Sequence, residues 1–526
     1  MTALTHDPAR DCVSPLGIPV DNLTLEDTVD RIFSMASLRD GTARLVSTLN
    51  VDFLVNALGS RFSSARHPEL LDVLRHSDLV TADGFPIIWL SRLVGRPLKQ
   101  RVCGSDLVPA LAARAAGEKR SLFLLGGAAG VAQAAAEVLK QRNPGLSIAG
   151  TAAPFVHTAG MELAASGSDD EALVKAINES GADILLIGLG NPKQELWFNR
   201  NRDSLTVPVS IGVGGSFEFI TGTVKRAPEW LQKLNMEWLY RITQDPGRLF
   251  SRYAKGLVKL TALSWPLVTS RLKEKLVFAG RTPAGPDAIG WRKVWSAREE
   301  SLAVLRLPEL VGRQYLEALV QQLVEDADDG GLRIIDFGRV RKVEMAAHQA
   351  LLTLAELQQS SGSALQLMAI PNSVKRDLAA TRVLDALHLD DSDTLAALGS
   401  SKGSQGGQLF CRSYVLNDCA LTFLGGKLSE RGLAEQGIIE CLQQTSRDRD
   451  CIIDLRNVTL LESSAVAVLQ PFFADRNVGE GRVVFSGLTD HVQQMIQMVG
   501  MGEPDNIVND SMLLSVVCDG EANHGG

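Results

Sequence analysis

The chain has 526 residues, of which 45% are hydrophobic and 22% charged, and its formal net charge is −8. This length predicts several soluble domains, and the acidic balance argues against a protein that coats nucleic acid. Seven scattered cysteines without a CxxC pair favour reduced thiols in a cytoplasm over a disulfide framework or a zinc site. We find no signal peptide and no apolar stretch of about 20 residues, so any membrane contact is expected to be peripheral.

Short apolar runs alternate with helix-length amphipathic segments from residue 20 to about residue 225. This alternation is typical of βαβ units, and it predicts a Rossmann-like α/β domain with a parallel sheet. Ligands of such sheets bind at the carboxyl ends of the strands. Those ends read STLN, VTADG, LLGG, GLGN and GVGG, and we expect the chemistry there.

The segment IGLGNPKQE (187–195) is a glycine loop that follows an apolar strand. It lacks the third glycine and the acid about 20 residues further on that a dinucleotide fingerprint needs, which disfavours an NAD-dependent oxidoreductase. Asn191 is predicted to cap the next helix, with Pro192 in its first turn. The loop either presents its groups to a polar or anionic ligand or is a tight turn without one. The candidate ligand contacts are Gly188, Gly190, Gln194 and Glu195.

Six motifs follow one another in a fixed order within residues 15–260. This order resembles the WecG/TagA/CpsF glycosyltransferases (family 26). The resemblance implies an inverting transfer, without metal or cofactor, from a UDP-sugar to a polyprenyl-diphosphate-linked saccharide at the inner face of the bacterial membrane. The motifs are STLNVDF (47–53), ADGFPIIW (82–89), RVCGSDLVP (101–109), IGLGNPKQE (187–195), GVGGSFEFITGTVKRAPEW (212–230) and MEWLYRITQDPGRLFSRY (236–253).

Asp83, in the ADG turn, is the candidate catalytic residue. An inverting transfer needs a base to take the proton of the acceptor hydroxyl, and Asp83 matches the catalytic aspartate proposed for the family. The alternative role is a cap for the helix that begins near Phe85, and one residue can fill both roles.

Four further polar residues are candidate substrate contacts. Thr48 and Asn50 end the first strand, where they either hydrogen-bond the sugar or uracil or serve strand-end turn chemistry. Arg101 and Asp106 flank Gly104 in a loop before a helix, where Arg101 either holds a phosphate or sugar carboxylate or forms a plain ion pair with Asp106. We expect no metal site, because no DxD motif ends a strand and the acids at positions 169 and 170 are interpreted as solvated loop.

A basic segment between residues 225 and 281 holds twelve Lys/Arg and four Asp/Glu, which indicates an anionic partner. The helix GRLFSRYAKGLVKL predicts a membrane-surface contact at the inner leaflet, with a solvated helix as the alternative. The resemblance implies that Arg241 and Arg248 contact the diphosphate of the donor or of the acceptor. Ser251 stands where relatives often have another basic residue, and Arg252 could take the place of that residue. The predicted basic face is Arg248, Arg252, Lys255 and Lys259, and the adjoining apolar stripe is Leu249, Tyr253, Leu257 and Leu260.

An internal repeat follows the predicted catalytic domain (15–280) and a Pro/Gly-rich linker (281–293). IIDFGRV begins at Ile334 and IIDLRNV at Ile452, an offset of 118 residues. A Ser/Gly-rich tether separates the copies, which predicts two small α/β domains over 295–392 and 409–520.

The second copy, IIDLRNVTLLESSAVAVL, resembles STAS domains, in which a serine before the helix is regulatory. The resemblance implies that role for Ser464, whereas the first copy has Ala346 there; the alternative is that Ser463 and Ser464 only cap the helix. The tandem copies are therefore expected to bind protein partners or to regulate the enzyme. The competing hypothesis is a STAS-based regulatory protein with a non-catalytic domain that senses nucleotide sugars.

Overall fold

The computed structural model describes most of the chain. The described residues are 10–58, 67–154, 167–228, 230–231, 237–244, 246–297, 300–325, 332–361, 365–368, 370–387, 409–416, 419–435, 438–439, 450–474, 477–478, 481–489, 492 and 494.

A six-stranded parallel sheet forms the centre of the first half, as the sequence predicts. Its spatial order is β4-β3-β8-β7-β5-β6, so the strand order reverses on the two sides of β8 and β7. A crossover of this kind opens a crevice at the carboxyl ends of the central strands. The strands are β3 (Arg44–Leu49), β4 (Leu79–Ala82), β5 (Ser121–Gly126), β6 (Ser147–Ala152), β7 (Ile184–Gly188) and β8 (Val209–Gly212), preceded by a small hairpin of β1 (Cys12–Val13) and β2 (Val20–Asp21).

Helices cover both faces of this sheet because its central strands are apolar on both sides. The residues of β3, β7 and β8 are buried almost throughout, which is the pattern of a parallel sheet covered on both sides. The helices are α1 (Leu25–Leu38), α2 (Val51–Ala57), α3 (Pro68–Arg75), α4 (Phe85–Leu93), α5 (Gly104–Glu118), α6 (Val131–Arg142), α7 (Gly167–Glu179), α8 (Lys193–Asn201), α9 (Ser216–Ile220), α10 (Glu237–Gln244) and α11 (Pro246–Val277).

Two smaller sheets follow, and the offset of 118 residues relates them. The first has the order β14-β12-β10-β9 and the second the order β15-β16-β17-β19-β18. In each, an antiparallel hairpin is extended by two parallel strands. The elements are β9 (Arg292–Ala297), β10 (Glu300–Arg306), β11 (Leu310–Val311), α12 (Arg313–Glu325), β12 (Leu332–Asp336), β13 (Lys342–Val343), α13 (His348–Ser361), β14 (Leu365–Met368), α14 (Asn372–Ala380), β15 (Phe410–Leu416), β16 (Cys419–Leu428), α15 (Glu430–Glu435), β17 (Asp450–Leu461), α16 (Ser463–Ala474), β18 (Asn477–Val478) and β19 (Gly481–Ser486).

The first repeat packs directly on the catalytic half through α11. The carboxylate of Glu274 accepts a hydrogen bond from the backbone N–H of Met345 (2.9 Å), at the start of the turn that leads into α13. Met345 is buried in the same apolar cluster as Leu263 and Leu267 of α11. Ala284, Ile289 and Trp291, in the predicted linker, pack against the core of this repeat.

Polar contacts extend this interface to the rest of the catalytic half. The guanidinium of Arg75 donates to the carbonyl of Arg382 (2.7 Å), and Arg96 pairs with Glu317 at 3.3 Å. Both arginines come from the catalytic half and both partners from the first repeat. The first repeat is thus fixed to the catalytic half at several points.

Candidate functional site

The five predicted strand-end segments converge at one edge of the large sheet. Thr48 lies at this edge but is buried, and its hydroxyl donates to the carbonyl of Gly212 at 2.8 Å. The hydroxyl that was expected to contact a ligand instead joins β3 to β8.

Asp83 follows β4 at the same edge and is held by β3. Its backbone N–H donates to the carbonyl of Leu49 at 2.7 Å, and its carboxylate accepts a hydrogen bond from the side chain of Asn50. Asn50 caps α2, because its Oδ1 accepts from the N–H groups of Asp52 (3.0 Å) and Phe53 (3.3 Å). The cap fixes the amide so that its NH₂ group is directed at Asp83.

Asp83 does not cap α4. The N-cap residue is Gly84, at φ 130°, and within the described residues no side chain caps this helix. The alternative capping role is therefore wrong, and the carboxylate is available for chemistry.

Burial raises the pKa of Asp83 to about 6, although the charges of Arg241 and Arg101 and the hydrogen bond from Asn50 act in the opposite direction. A carboxyl group with this pKa is mostly ionised at neutral pH and yet basic enough to take a proton. Both properties are required of a general base.

Gln194 and Glu195 fasten two loops together from the inside. Gln194 accepts from the N–H of Gly214 (3.0 Å) and donates to Glu195 (2.8 Å), so that the GLGN loop is tied to the GVGG loop. Both side chains are fully buried, and burial raises the pKa of Glu195 to about 8 despite the hydrogen bond from Gln194. In this arrangement the two predicted substrate contacts hold the loops in place.

The glycines of the first loop have different roles. A Cβ on Gly188 would lie 2.7 Å from the ring of Phe217, so this position is glycine for packing. Gly190 has φ 77° and open space where a side chain would project, which leaves its backbone accessible. The prediction that Asn191 caps α8 is wrong, since the N-cap is Pro192 and the Asn191 side chain accepts from Asn56 at 2.9 Å.

Three arginines and two acids form an ionic cluster beside Asp83. Arg101 lies 3.6 Å from Asp106, the pair that the sequence predicts. Arg226 also pairs with Asp106, and Arg241 pairs with Glu237 (3.4 Å) and stacks on Phe219 with 4.6 Å between its guanidinium carbon and the ring centroid. The second acid, Glu237, is in addition 3.4 Å from Arg101.

Arg226 and Glu237 are members of this cluster that the sequence interpretation did not single out. Arg226 lies in TVKRAPEW and Glu237 in MEWLYR, which belong to the motifs of the family resemblance. Membership in these motifs was the sequence feature that could have identified them. They are separated from Asp106 and Arg101 by 120 and 136 residues, so no local spacing connects them.

Other predicted positions fall outside the site or outside the described side chains. The side chains of Arg248 and Arg252 are not among those described, although their backbone belongs to α11. Asp170, interpreted as solvated loop, is buried and accepts from the indole N–H of Trp197 at 3.0 Å. Across the described ranges, no group of three His, Cys, Asp or Glu side chains could hold a metal ion.

The predicted apolar stripe of α11 divides between two environments. Leu260 is buried in the cluster that holds Leu263 and Leu267, whereas Leu257 is 64% exposed. The exposed face also carries Phe250, Val258 and Trp265, with Lys255 and Lys259 exposed nearby. Of the helices that the structure describes, none has the length and apolarity needed to cross a bilayer.

Comparison with known proteins gives one consistent family. Residues 13–276 match the model of the glycosyl transferase WecG/TagA/CpsF family. The chain is similar to N-acetylglucosaminyldiphosphoundecaprenol N-acetyl-beta-D-mannosaminyltransferases, at 32% identity in Bacillus spizizenii over 36% of this chain and 68% of the relative. For the relatives from Bacillus subtilis and Staphylococcus aureus the identity is 31%, over 39% and 45% of this chain and 73% and 86% of those proteins.

We predict that Gly212→Ala destabilises the protein. The added methyl group would overlap the buried amide of Gln194 and lie 2.7 Å from Oε1 of Glu195. Overpacking of this kind costs about 1–3 kcal/mol, to be measured by urea unfolding.

The matched control is Gly117→Ala in α5, where a Cβ would meet nothing within 4 Å. Alanine is the better helix former by about 1 kcal/mol, so this variant should be neutral or more stable. Equal destabilisation by both substitutions would contradict the packing role of Gly212.

Proposed function

Because the chain belongs to the WecG/TagA/CpsF family and is a glycosyltransferase, we propose that it transfers a sugar, with inversion, from a UDP-sugar to a polyprenyl-diphosphate-linked saccharide. The observation that carries this proposal is Asp83, a partly shielded carboxylate at the carboxyl edge of the sheet beside three arginines. The names of the relatives suggest an N-acetylhexosamine donor and an acceptor that carries N-acetylglucosamine on its diphosphate.

In the proposed reaction Asp83 takes the proton of the acceptor hydroxyl. The acceptor oxygen then bonds to the anomeric carbon from the face opposite the nucleotide, and the bond from that carbon to the diphosphate oxygen breaks. UDP leaves with the electron pair. Arg101, Arg226 and Arg241, which cluster around Asp106 and Glu237, are proposed to stabilise the charge that develops on UDP. Preorganised stabilisation of this kind lowers such barriers.

No step of this scheme requires a metal or a cofactor, in keeping with the family resemblance. The residues at the edge divide into two groups. Asp83 and the arginines are proposed to act on substrate, while Asn50, Thr48, Gln194 and Glu195 hold them and the loops in position.

We predict that Asp83→Asn lowers kcat by about 10²–10⁴-fold while UDP binding is retained, because a general base contributes this much. In the unaltered enzyme the ionised form of Asp83 is the active one. With a pKa of about 6, kcat/KM should therefore fall as the pH drops below 6, approaching tenfold per pH unit. A series of rates from pH 4.5 to 8 measures this.

Asp40→Asn is the control, since Asp40 is an exposed carboxylate that pairs with Arg44 near the amino end of β3. It should leave both kcat and the pH profile unchanged. A flat profile between pH 5 and 7, or more than about a tenth of the activity in Asp83→Asn, would remove Asp83 as the base.

We further propose that the protein is cytoplasmic and lies on the inner face of the membrane through α11. In the described part of this helix, six large apolar side chains and four lysines are exposed, and the opposite face is buried in the catalytic half. Apolar insertion combined with attraction to anionic lipid is how interfacial helices bind. Such binding would bring the edge of the sheet near a lipid-linked acceptor.

We predict that Lys255→Gln with Lys259→Gln weakens binding to vesicles that contain anionic phosphatidylglycerol. Each charge near an anionic surface contributes about 1 kcal/mol, so the double variant should bind about 30-fold more weakly in a sedimentation assay. Lys119→Gln with Lys140→Gln removes the same charge from exposed positions at the ends of α5 and α6. An equal loss in both double variants would show that α11 is not the contact.

The tandem repeats are proposed to be STAS-like modules that regulate the enzyme or bind protein partners. Ser464 is the second residue of α16 and is half-buried, so a phosphate on it would lie near free N–H groups. At the matching place in the first repeat, the N–H of Met345 binds the carboxylate of Glu274. That contact supports an anion-binding role for this turn of the repeat.

A further inference from the structure

The carboxylate of Glu237 lies at the centre of the arginine cluster. It is the first residue of α10, and its side chain is 7% exposed. Arg101 and Arg241 approach it to 3.4 Å and Arg226 to 3.9 Å. Three positive charges from three separate segments of the chain therefore converge on one side chain.

This carboxylate is too small to satisfy all three guanidinium groups. Charge-assisted hydrogen bonds between a guanidinium and a carboxylate measure about 2.7–2.9 Å, and the distances to Glu237 are all longer. The Nε atoms of Arg226 and Arg241 are buried and have no hydrogen-bond acceptor among the described residues. The cluster thus retains donors that a larger anion could use.

A diphosphate has the properties that the cluster calls for. It carries more than one negative charge and spreads its oxygens over two phosphorus centres, which suits several arginine forks at once. Arg101 and Arg241 also act electrostatically on Asp83, so an anion bound here would lie beside the proposed base.

Asp106 is the second acid of the cluster and is anchored differently. It belongs to the first turn of α5, against the large sheet, and accepts from the thiol of Cys103 at 2.9 Å as well as from Arg226. Asp106 is therefore built to hold Arg226 and Arg101 in place, whereas Glu237 belongs to the short helix α10.

We propose that Glu237 is an internal anion: it keeps the three arginines together when no diphosphate is bound, and the diphosphate of a substrate displaces it. The inference rests on the proposed function, which supplies two sources of a diphosphate, the UDP of the donor and the lipid diphosphate of the acceptor. Glu237 would then act as a positioning residue that competes with substrate and prevents the arginines from repelling one another.

The test is the affinity for UDP and for farnesyl diphosphate, measured by calorimetry on the full chain. Glu237 would compete with the diphosphate for the arginines. The apparent Kd of the diphosphate is then its intrinsic Kd divided by the fraction of molecules in which Glu237 has released the arginines. Glu237→Gln should therefore bind a diphosphate about five- to tenfold more tightly. Tightening for UDP assigns the site to the donor, and tightening for farnesyl diphosphate assigns it to the acceptor.

Asp106→Asn is the matched control, because it removes the same charge from the same cluster. If Asp106 only orients the arginines, this variant should bind diphosphate more weakly than the unaltered protein. If both variants bind diphosphate more tightly to the same extent, the loss of one negative charge anywhere in the cluster explains the effect. That result would overturn the proposal. Unchanged or weaker binding by Glu237→Gln, or no binding of either diphosphate, would also overturn it.

Two further measurements keep the outcome interpretable. Thermal unfolding of Glu237→Gln checks that the fold is retained, and Glu237→Ala should tighten binding in the same direction. Binding is measured without turnover, so it separates this inference from the proposed function. A protein that transfers no sugar can still pass the test, and one that transfers sugar can fail it.

Discussion

The balance between burial and positive charge at Asp83 is the constraint on which the rest of the site depends. Burial alone would protonate this carboxyl group, and exposure alone would make it a weak base. The hydrogen bond from Asn50 and the charges of Arg101 and Arg241 keep its pKa near 6, so that it is ionised and still basic. The same arginines are proposed to bind the leaving diphosphate, which would couple the base and the leaving group electrostatically.

This balance requires a rigid edge, and the packing beneath the site supplies it. The buried pair of Gln194 and Glu195 ties two glycine loops, and Thr48 joins β3 to β8. The first repeat packs on α11, which directly follows the helix that carries Arg241. The contact between Glu274 and Met345 therefore connects the first repeat to the helix that follows Arg241.

The sequence was sufficient to predict the parallel sheet of the first half and to place Asp83 at the carboxyl edge of that sheet. Strand-end glycines and polar residues follow apolar runs, and parallel strands bring their carboxyl ends to one edge, so Asp83 and Asn50 could be located. The repeat was also visible, since Leu332 and Asp450 begin matching strands at the offset of 118.

The roles of individual side chains were harder to predict because they depend on contacts between distant segments. Gly84, with a positive φ, is the N-cap residue of α4, and no described side chain caps this helix. The spacing of residues in the sequence did not reveal that Asp83 leaves this position to Gly84. The stripe on α11 divided because one face packs on the catalytic half, and only the fold decides which leucine faces outward. Glu237 and Arg226 were missed because their partners lie 136 and 120 residues away.

The anomeric configuration of the product tests the proposed inverting transfer most directly. UDP-N-acetylmannosamine would be incubated with a short polyprenyl-diphosphate acceptor that carries N-acetylglucosamine, and the linkage read by NMR. Inverting transfer would give a lipid-linked disaccharide with the new bond in the β configuration, inverted from the α-linked donor. An α-linked product, or hydrolysis of the donor without transfer, would contradict it.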